Sequence, residues 1–212
     1  MDANDIIPNE RVFRYRFSNQ FGHGKGSVSG FSDIFRYKLL YDHGGWWVDM
    51  DVTCLRSLDM EKPYFFRPHH ELTLVGNVMK CPKGSELMAR CYEQASQQVD
   101  ENNTDWHLPI EILVRNVKEL ELEHFITHNC SIPDRWDLLK PYLFGTKQPD
   151  ENLFFMHWMN EEWRSRGLDK YDFRIDSCYG KLLIEHGLVP DDFNAFQRLK
   201  NALRFSMLRF FS

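Results

Sequence analysis

The sequence predicts an α/β fold, on three observations. Residues 46–52 alternate apolar Trp46, Val48, Met50 and Val52 with Trp47, Asp49 and Asp51, the period of two that marks a strand. Several longer stretches instead carry apolar residues three and four apart, the period of a helix. The two patterns interleave along 212 residues that are 42% hydrophobic and 15% aromatic, enough for one substantial core.

The elements follow in order. Gly22, Gly24 and Gly26 loosen a loop over 22–27. Ser32 is placed to cap a helix with Ile34, Phe35, Leu39 and Leu40 on its apolar side, and Gly44-Gly45 ends it. An extended backbone over 46–52 then sets Asp49 and Asp51 on one face. Residues 72–79 read as a buried strand and 85–98 as a helix. A second helix is expected over 109–120, with Ile110, Leu113, Val114 and Val117 inward. Residues 154–158 form a short buried strand, and 177–186 a capped helix ended by Gly187. Residues 191–211 form a last helix with Phe196, Leu199, Leu203, Met207 and Phe210 in a stripe and Arg198, Lys200, Arg204 and Arg209 around it. Such a basic amphipathic helix can lie on a membrane surface or dock on a core. The domain boundaries are accordingly 1–190 and 191–212.

Charge and cysteine usage narrow the function classes. With 26 Lys plus Arg against 31 Asp plus Glu, the net charge of -5 offers no global attraction to nucleic acid, so an anionic ligand must be held locally. Cys54, Cys81, Cys91, Cys130 and Cys178 are odd in number and scattered, without the spacing of a zinc site or a redox pair. Free thiols in a reducing compartment are expected. The polar start Met1-Asp2-Ala3-Asn4-Asp5 is unlike a signal peptide, and no apolar run is long enough to cross a bilayer, so the expected location is cytoplasmic, with peripheral contact at the inner membrane face through the last helix.

Asp49 and Asp51, one residue apart at a strand end, suit a hard divalent cation such as Mg2+ or Mn2+. Two carboxylates about 4 Å apart repel by roughly 4 kcal/mol at an effective dielectric near 20, so a metal or a shifted pKa is expected. Beside a diphosphate, the metal would neutralise a leaving group as a Lewis acid. An Asp-x-Asp by itself is weak evidence, because short acidic pairs usually form solvated turns. Asp33 and Arg36 strengthen it. Three residues apart on the preceding helix, they share a face and could together grip sugar hydroxyls or ribose; otherwise they form a surface ion pair.

Residues 31–52, with Ser32-Asp33, Arg36-Tyr37, Gly44-Gly45 and Asp49-x-Asp51 at their particular spacing, resemble the glycosyltransferase family called sugar-binding region containing DXD motif. That family includes capsular polysaccharide and Och1-like mannosyl transferases and is similar to the clostridial glucosylating toxins. The resemblance implies a GT-A-like, Rossmann-type mixed sheet flanked by helices, a retaining mechanism and a UDP- or GDP-sugar donor. It further implies that Asp33 and Arg36 contact the donor sugar, that Asp49 and Asp51 serve ribose and metal, and that Asp51 is the direct ligand. By the same resemblance His157 with Trp163 looks like the family's late His and Trp near the diphosphate, His157 being a third metal ligand or a donor to the leaving phosphate. Asn77 resembles the asparagine of the strand that faces the acceptor, a glycan or a lipid-linked sugar in surface polysaccharide synthesis.

The similarity runs over about residues 2–188, but the strand-helix-strand unit that family members carry ahead of it is missing, so an N-terminally truncated fold is expected. His107-Leu108-Pro109 also departs from the small residue and Gly that relatives place before Pro, near the acceptor. Two rival readings stay open. Val48-Asp49-Met50-Asp51-Val52-Thr53 fits the signature of haloacid-dehalogenase-like phosphatases, whose first Asp is a nucleophile, although Asp33, Arg36 and Gly44-Gly45 find no use there. A catalytically impaired remnant would bind metal or nucleotide sugar without transfer.

Overall fold

The computed structural model describes residues 2–19, 22, 24–105, 107–169, 173–189 and 203. Among them the chain is mixed α/β, with six α-helices and small sheets, as the interleaved periodicities predict. Contacts group it into two units, the first drawn from Met1–Val52 and Ser57–Cys130, the second from Thr53–Arg56 and Ser131–Ser212. None of the helices is long and apolar enough to cross a membrane, among the described residues. The expected helix over 191–211 lies outside the described residues except Leu203, which is helical and exposed.

The first unit is built on α1 (Ser29–His43) and a three-stranded antiparallel sheet. Its strands are β1 (Gly45–Val48), β3 (Phe65–His69) and β4 (Thr73–Cys81), in the order β1-β4-β3. The central strand β4 is buried along most of its length, which is why its sequence is almost continuously apolar. Pro68 falls on β3, at the side of the sheet, where a missing N–H breaks no ladder. Helices α2 (Glu86–Gln98) and α3 (Leu108–Glu119) complete the unit, and Tyr37, Leu40, Phe66, Met79, Met88 and Leu113 are shared in one core. Ser85 caps α2 as an acceptor from the N–H of Met88.

Three expectations are corrected here. Helix α1 starts at Ser29, a turn before the expected cap; Ser27 Oγ accepts from the N–H of Ser29 at 3.1 Å, and Ser32 already donates its N–H to Val28. On α3 the buried face is Pro109, Ile112, Leu113, Asn116 and Val117, with Val114 partly buried against the core, whereas Ile110 is half-exposed. Buried Asn116 donates to the carbonyl of Ile112 and to Gln94, so a polar residue turns inward because its amide is satisfied. The strand expected over 46–52 breaks after Val48. Residues 50 and 51 form a turn closed by the N–H of Val52 on the carbonyl of Asp49 at 3.1 Å, and Met50, expected on the apolar face, is fully exposed.

The predicted end of α1 is found. Gly44 has φ 67°, and a Cβ there would meet the backbone nitrogen of Lys83 at 2.4 Å, so the helix leaves through a conformation and a gap that glycine alone accepts.

In the second unit β2 (Val52–Cys54), of which Thr53 and Cys54 belong here, pairs with β5 (Phe155–His157). Helices α4 (Trp136–Leu143), α5 (Asn160–Ser165) and α6 (Cys178–Glu185) pack a core of Leu139, Leu143, Met156, Trp158, Trp163 and Cys178. Ser177 caps α6 as expected, accepting from the N–H of Gly180 at 3.0 Å. Cys54, Cys81, Cys91 and Cys178 carry free thiols, and of these Cys54 alone is exposed.

Candidate functional site

The site of the first unit is assembled by the helix-glycine-strand sequence α1, Gly44-Gly45, β1. Asp33 and Arg36, one turn apart on α1, are both about 7% exposed, and Arg36 Nη1 lies 3.3 Å from Asp33 Oδ1. The same guanidinium turns its other nitrogen to the end of β1, with Nη2 3.4 Å from Asp49 Oδ1. Trp47, two residues earlier on the same strand face, donates its indole N–H to that oxygen at 2.6 Å, and Arg36 lies over its ring at 5.1 Å. Arg36 thus joins the helix carboxylate to the strand carboxylate. Gly76 of β4 makes room for it, since a Cβ there would stand 3.0 Å from Nη1.

The register of the sheet brings β4 to the same place. Phe66 pairs with Met79 but the next residue, Arg67, pairs with Val75, so Gly76, Asn77 and Val78 are skipped by β3. In that interruption the carbonyl of Asn77 accepts the N–H of Asp49 at 2.8 Å. The Asn77 side chain accepts from the fully buried Arg67 at 3.2 Å. Asn77 therefore anchors the start of the Asp-x-Asp turn.

Electrostatics sharpen the arrangement. Burial pushes the Asp33 carboxyl up to about 6; Arg36 opposes the shift and Asp49 adds to it. Burial works against the Arg36 charge, yet the carboxylates of Asp33, Asp49 and Asp51 together raise its pKa, so the guanidinium stays charged. Asp51 therefore acts on the same centre from within the turn. Three carboxylates around one guanidinium leave an excess of negative charge, the condition that attracts a cation.

A hard divalent cation takes oxygen ligands, and the carboxylates here are of that kind. Among the described residues no three His, Cys, Asp or Glu side chains gather as a metal cage. Magnesium-like ions, however, are commonly held by one or two carboxylates with substrate phosphates completing the shell, and the Asp49–Asp51 turn supplies that number. The turn therefore matches the protein's share of such a shell.

Of the residues singled out in the sequence, Asp33, Arg36 and Asp49 are in direct contact, Asp51 adjoins them through its charge, and Asn77 is bound to Asp49 through its backbone. His157 and Trp163 belong to the second unit. His157 ends β5, and its Nδ1 is 2.9 Å from Asp134 Oδ1, a pair that orients the ring. Trp163 is buried and donates its N–H to the carbonyl of Trp158 at 2.7 Å, which secures the chain next to His157. Trp47 was missed as a site residue, though its signal was legible: it alternates with Asp49 and Asp51 on one strand face. Arg67 and Gly76 carry no local sequence signal, because their role depends on the slip between β3 and β4.

Residues 15–65 match the family model described as glycosyltransferase sugar-binding region containing DXD motif. The match contains Asp33, Arg36, Trp47, Asp49 and Asp51, and ends before Asn77, His157 and Trp163. No curated protein and no solved structure matches the chain.

Proposed function

From the glycosyltransferase sugar-binding region that residues 15–65 carry, we propose that this chain is a metal-dependent, retaining glycosyltransferase with a GT-A-like fold. It takes a sugar from a UDP- or GDP-sugar and passes it to a glycan or lipid-linked acceptor in surface polysaccharide synthesis, working at the cytoplasmic face of a membrane. The observation that carries the reading is the bridge from Asp33 through Arg36 to Asp49, buried on the helix side and open to the Asp-x-Asp turn on the other.

The roles follow from the contacts. Arg36, fixed over Trp47 and between two carboxylates, presents a charge of set direction to an anionic or hydroxyl-rich donor. Asp33, with a pKa of about 6, can accept from or donate to a sugar hydroxyl near neutral pH. Asp49, whose Oδ1 is held by Trp47 and Arg36, is oriented for the ribose and the edge of the cation site. Asp51, carried in the turn after β1, would be the direct ligand of Mn2+ or Mg2+. When bound, that cation supplies charge neutralisation to the leaving diphosphate. Asn77 sets the position of Asp49 and, by the resemblance, borders the acceptor. In the second unit Trp163 holds the strand end that carries His157.

The test is calorimetry and a product assay on the purified chain with Mn2+ and a panel of UDP- and GDP-sugars. Metal-dependent binding followed by transfer or hydrolysis is expected. Asp51→Ala removes one oxygen ligand that a methyl group cannot replace, so it abolishes metal-dependent donor binding while leaving the fold intact. Binding without turnover would favour the impaired remnant. Unchanged donor affinity in Asp51→Ala, or a phospho-aspartate trapped at Asp49, would overturn the transferase.

A further inference from the structure

A tyrosine eighteen residues before Asp33 reaches the same helix face. Tyr15 is clamped to the glycine-rich loop by two backbone hydrogen bonds, its N–H to the carbonyl of Ser27 at 3.0 Å and the N–H of Gly26 to its own carbonyl at 2.8 Å. Its ring packs on Phe13 at 6.0 Å and is 3% exposed. The hydroxyl at its tip is buried and has no hydrogen-bond partner among the described residues. A buried donor left this way carries the desolvation cost of a hydrogen bond without its return.

The direction of that hydroxyl is set by Gly30. A Cβ at Gly30 would stand 2.1 Å from Tyr15 Oη and 2.6 Å from Cζ, so the tyrosine tip rests where any other residue of α1 would put its side chain. Gly30 and Asp33 are three residues apart and share a face. Side chains on a helix lean toward its N-terminus, which carries the Asp33 carboxylate over the turn that holds Gly30. Burial, and then the charges of Asp33 and Asp105, hold the Tyr15 phenol well above its ordinary pKa, so it remains an O–H donor throughout the working range.

We propose that Tyr15 is a donor-sugar contact: its hydroxyl donates a hydrogen bond to an oxygen of the sugar gripped by Asp33 and Arg36, and so distinguishes a sugar-bearing nucleotide from the bare nucleotide. The proposal rests on the donor site proposed above and adds a residue to it. Tyr15 would act on binding of the sugar and has no part in holding the cation.

Tyr15→Phe removes one oxygen and keeps the ring, which separates packing from recognition. Titration calorimetry of the full chain with Mn2+ should show UDP-glucose or GDP-mannose binding weakened about tenfold, the worth of one buried hydrogen bond, with UDP and GDP unchanged. The melting temperature without nucleotide should stay level or rise, because an unsatisfied buried donor has been removed. Equal affinity of the two chains for the sugar nucleotides overturns the proposal. So does an equal weakening of UDP and UDP-glucose together with a lower melting temperature, which would make Tyr15 a packing residue. If the wild-type chain binds sugar nucleotides and loses them on Asp51→Ala while Tyr15→Phe is silent, the donor site stands and the role of Tyr15 falls. If the wild-type chain binds none of the four ligands, both fall.

Discussion

In the first unit the buried polar side chains include Asp33, Arg36, Arg67 and Asn77; in the second, Trp158, Trp163, Arg174 and Ser177 fill that place. The second set is used up by its own fold. Trp163 donates to the carbonyl of Trp158, Trp158 to Thr53 Oγ1 at 2.8 Å, and Arg174 pairs with Asp176, while Ser177 caps α6. In the first set Arg36 bridges two carboxylates, one of them buried beside it on α1. Burying charge costs more than burying an indole whose N–H finds a carbonyl, so a fold that needed only stability would have chosen the second chemistry twice. The difference sets the charged bridge of the first unit apart from the self-satisfied framework of the second.

The largest effect is expected where the framework is broken. Trp163→Ala empties a core position and orphans the Trp158 carbonyl, which should cost about 3–5 kcal/mol in urea denaturation, with little change between pH 5 and pH 8. A loss below about 1 kcal/mol would mean that the aromatic cluster does not hold the second unit together.

Arg36→Ala probes the other chemistry. It leaves Asp33 and Asp49 without the guanidinium they share, and a destabilisation of about 3 kcal/mol is expected by denaturation at pH 8, smaller at pH 5 where Asp33 takes up a proton. Donor-sugar affinity should fall further than Mn2+ affinity. Equal loss of both would reduce Arg36 to a structural ion pair.

These contrasts were unevenly legible in the sequence. Local signals are reliable where one residue and its neighbours decide the outcome: Gly44 ending α1, Ser177 capping α6, and Asp33 with Arg36 on one face all stand where the sequence puts them. What failed was longer in range or turned on a balance. Alternation over 46–52 predicts a continuous strand, but the sheet partner of β1 pairs only as far as Val48, and beyond it the chain closes a turn that exposes Met50. The two carboxylates are therefore neighbours in a turn, and the guanidinium from α1 does what the common strand face was expected to do. Helix α3 turns Asn116 inward because Gln94 of α2 satisfies it, a fact about tertiary packing that a hydropathy pattern does not carry. Tyr15 is the extreme case, since its place depends on its backbone pairing with Gly26 and Ser27, which sets its tip against Gly30.

Asp33→Asn tests the smallest of these effects and its sign is the unusual part. A carboxyl raised from 3.8 to about 6 by folding binds its proton more tightly in the native state than in the unfolded chain. Native stability therefore declines as pH rises through the window from about 4 to about 6, and above it the ionised group is a net cost of up to about 3 kcal/mol. The asparagine variant has no charge to lose. It should match the wild-type chain near pH 4 and exceed it by about that amount at pH 8 in urea denaturation, while binding a sugar nucleotide more weakly at every pH. Parallel stability curves for the two chains would show that Arg36 fully compensates Asp33, and the first unit would then differ from the second only in the kind of pair it buries. Divergence with rising pH, joined to weaker donor binding, would show a carboxylate kept at a cost to the fold because the ligand needs it.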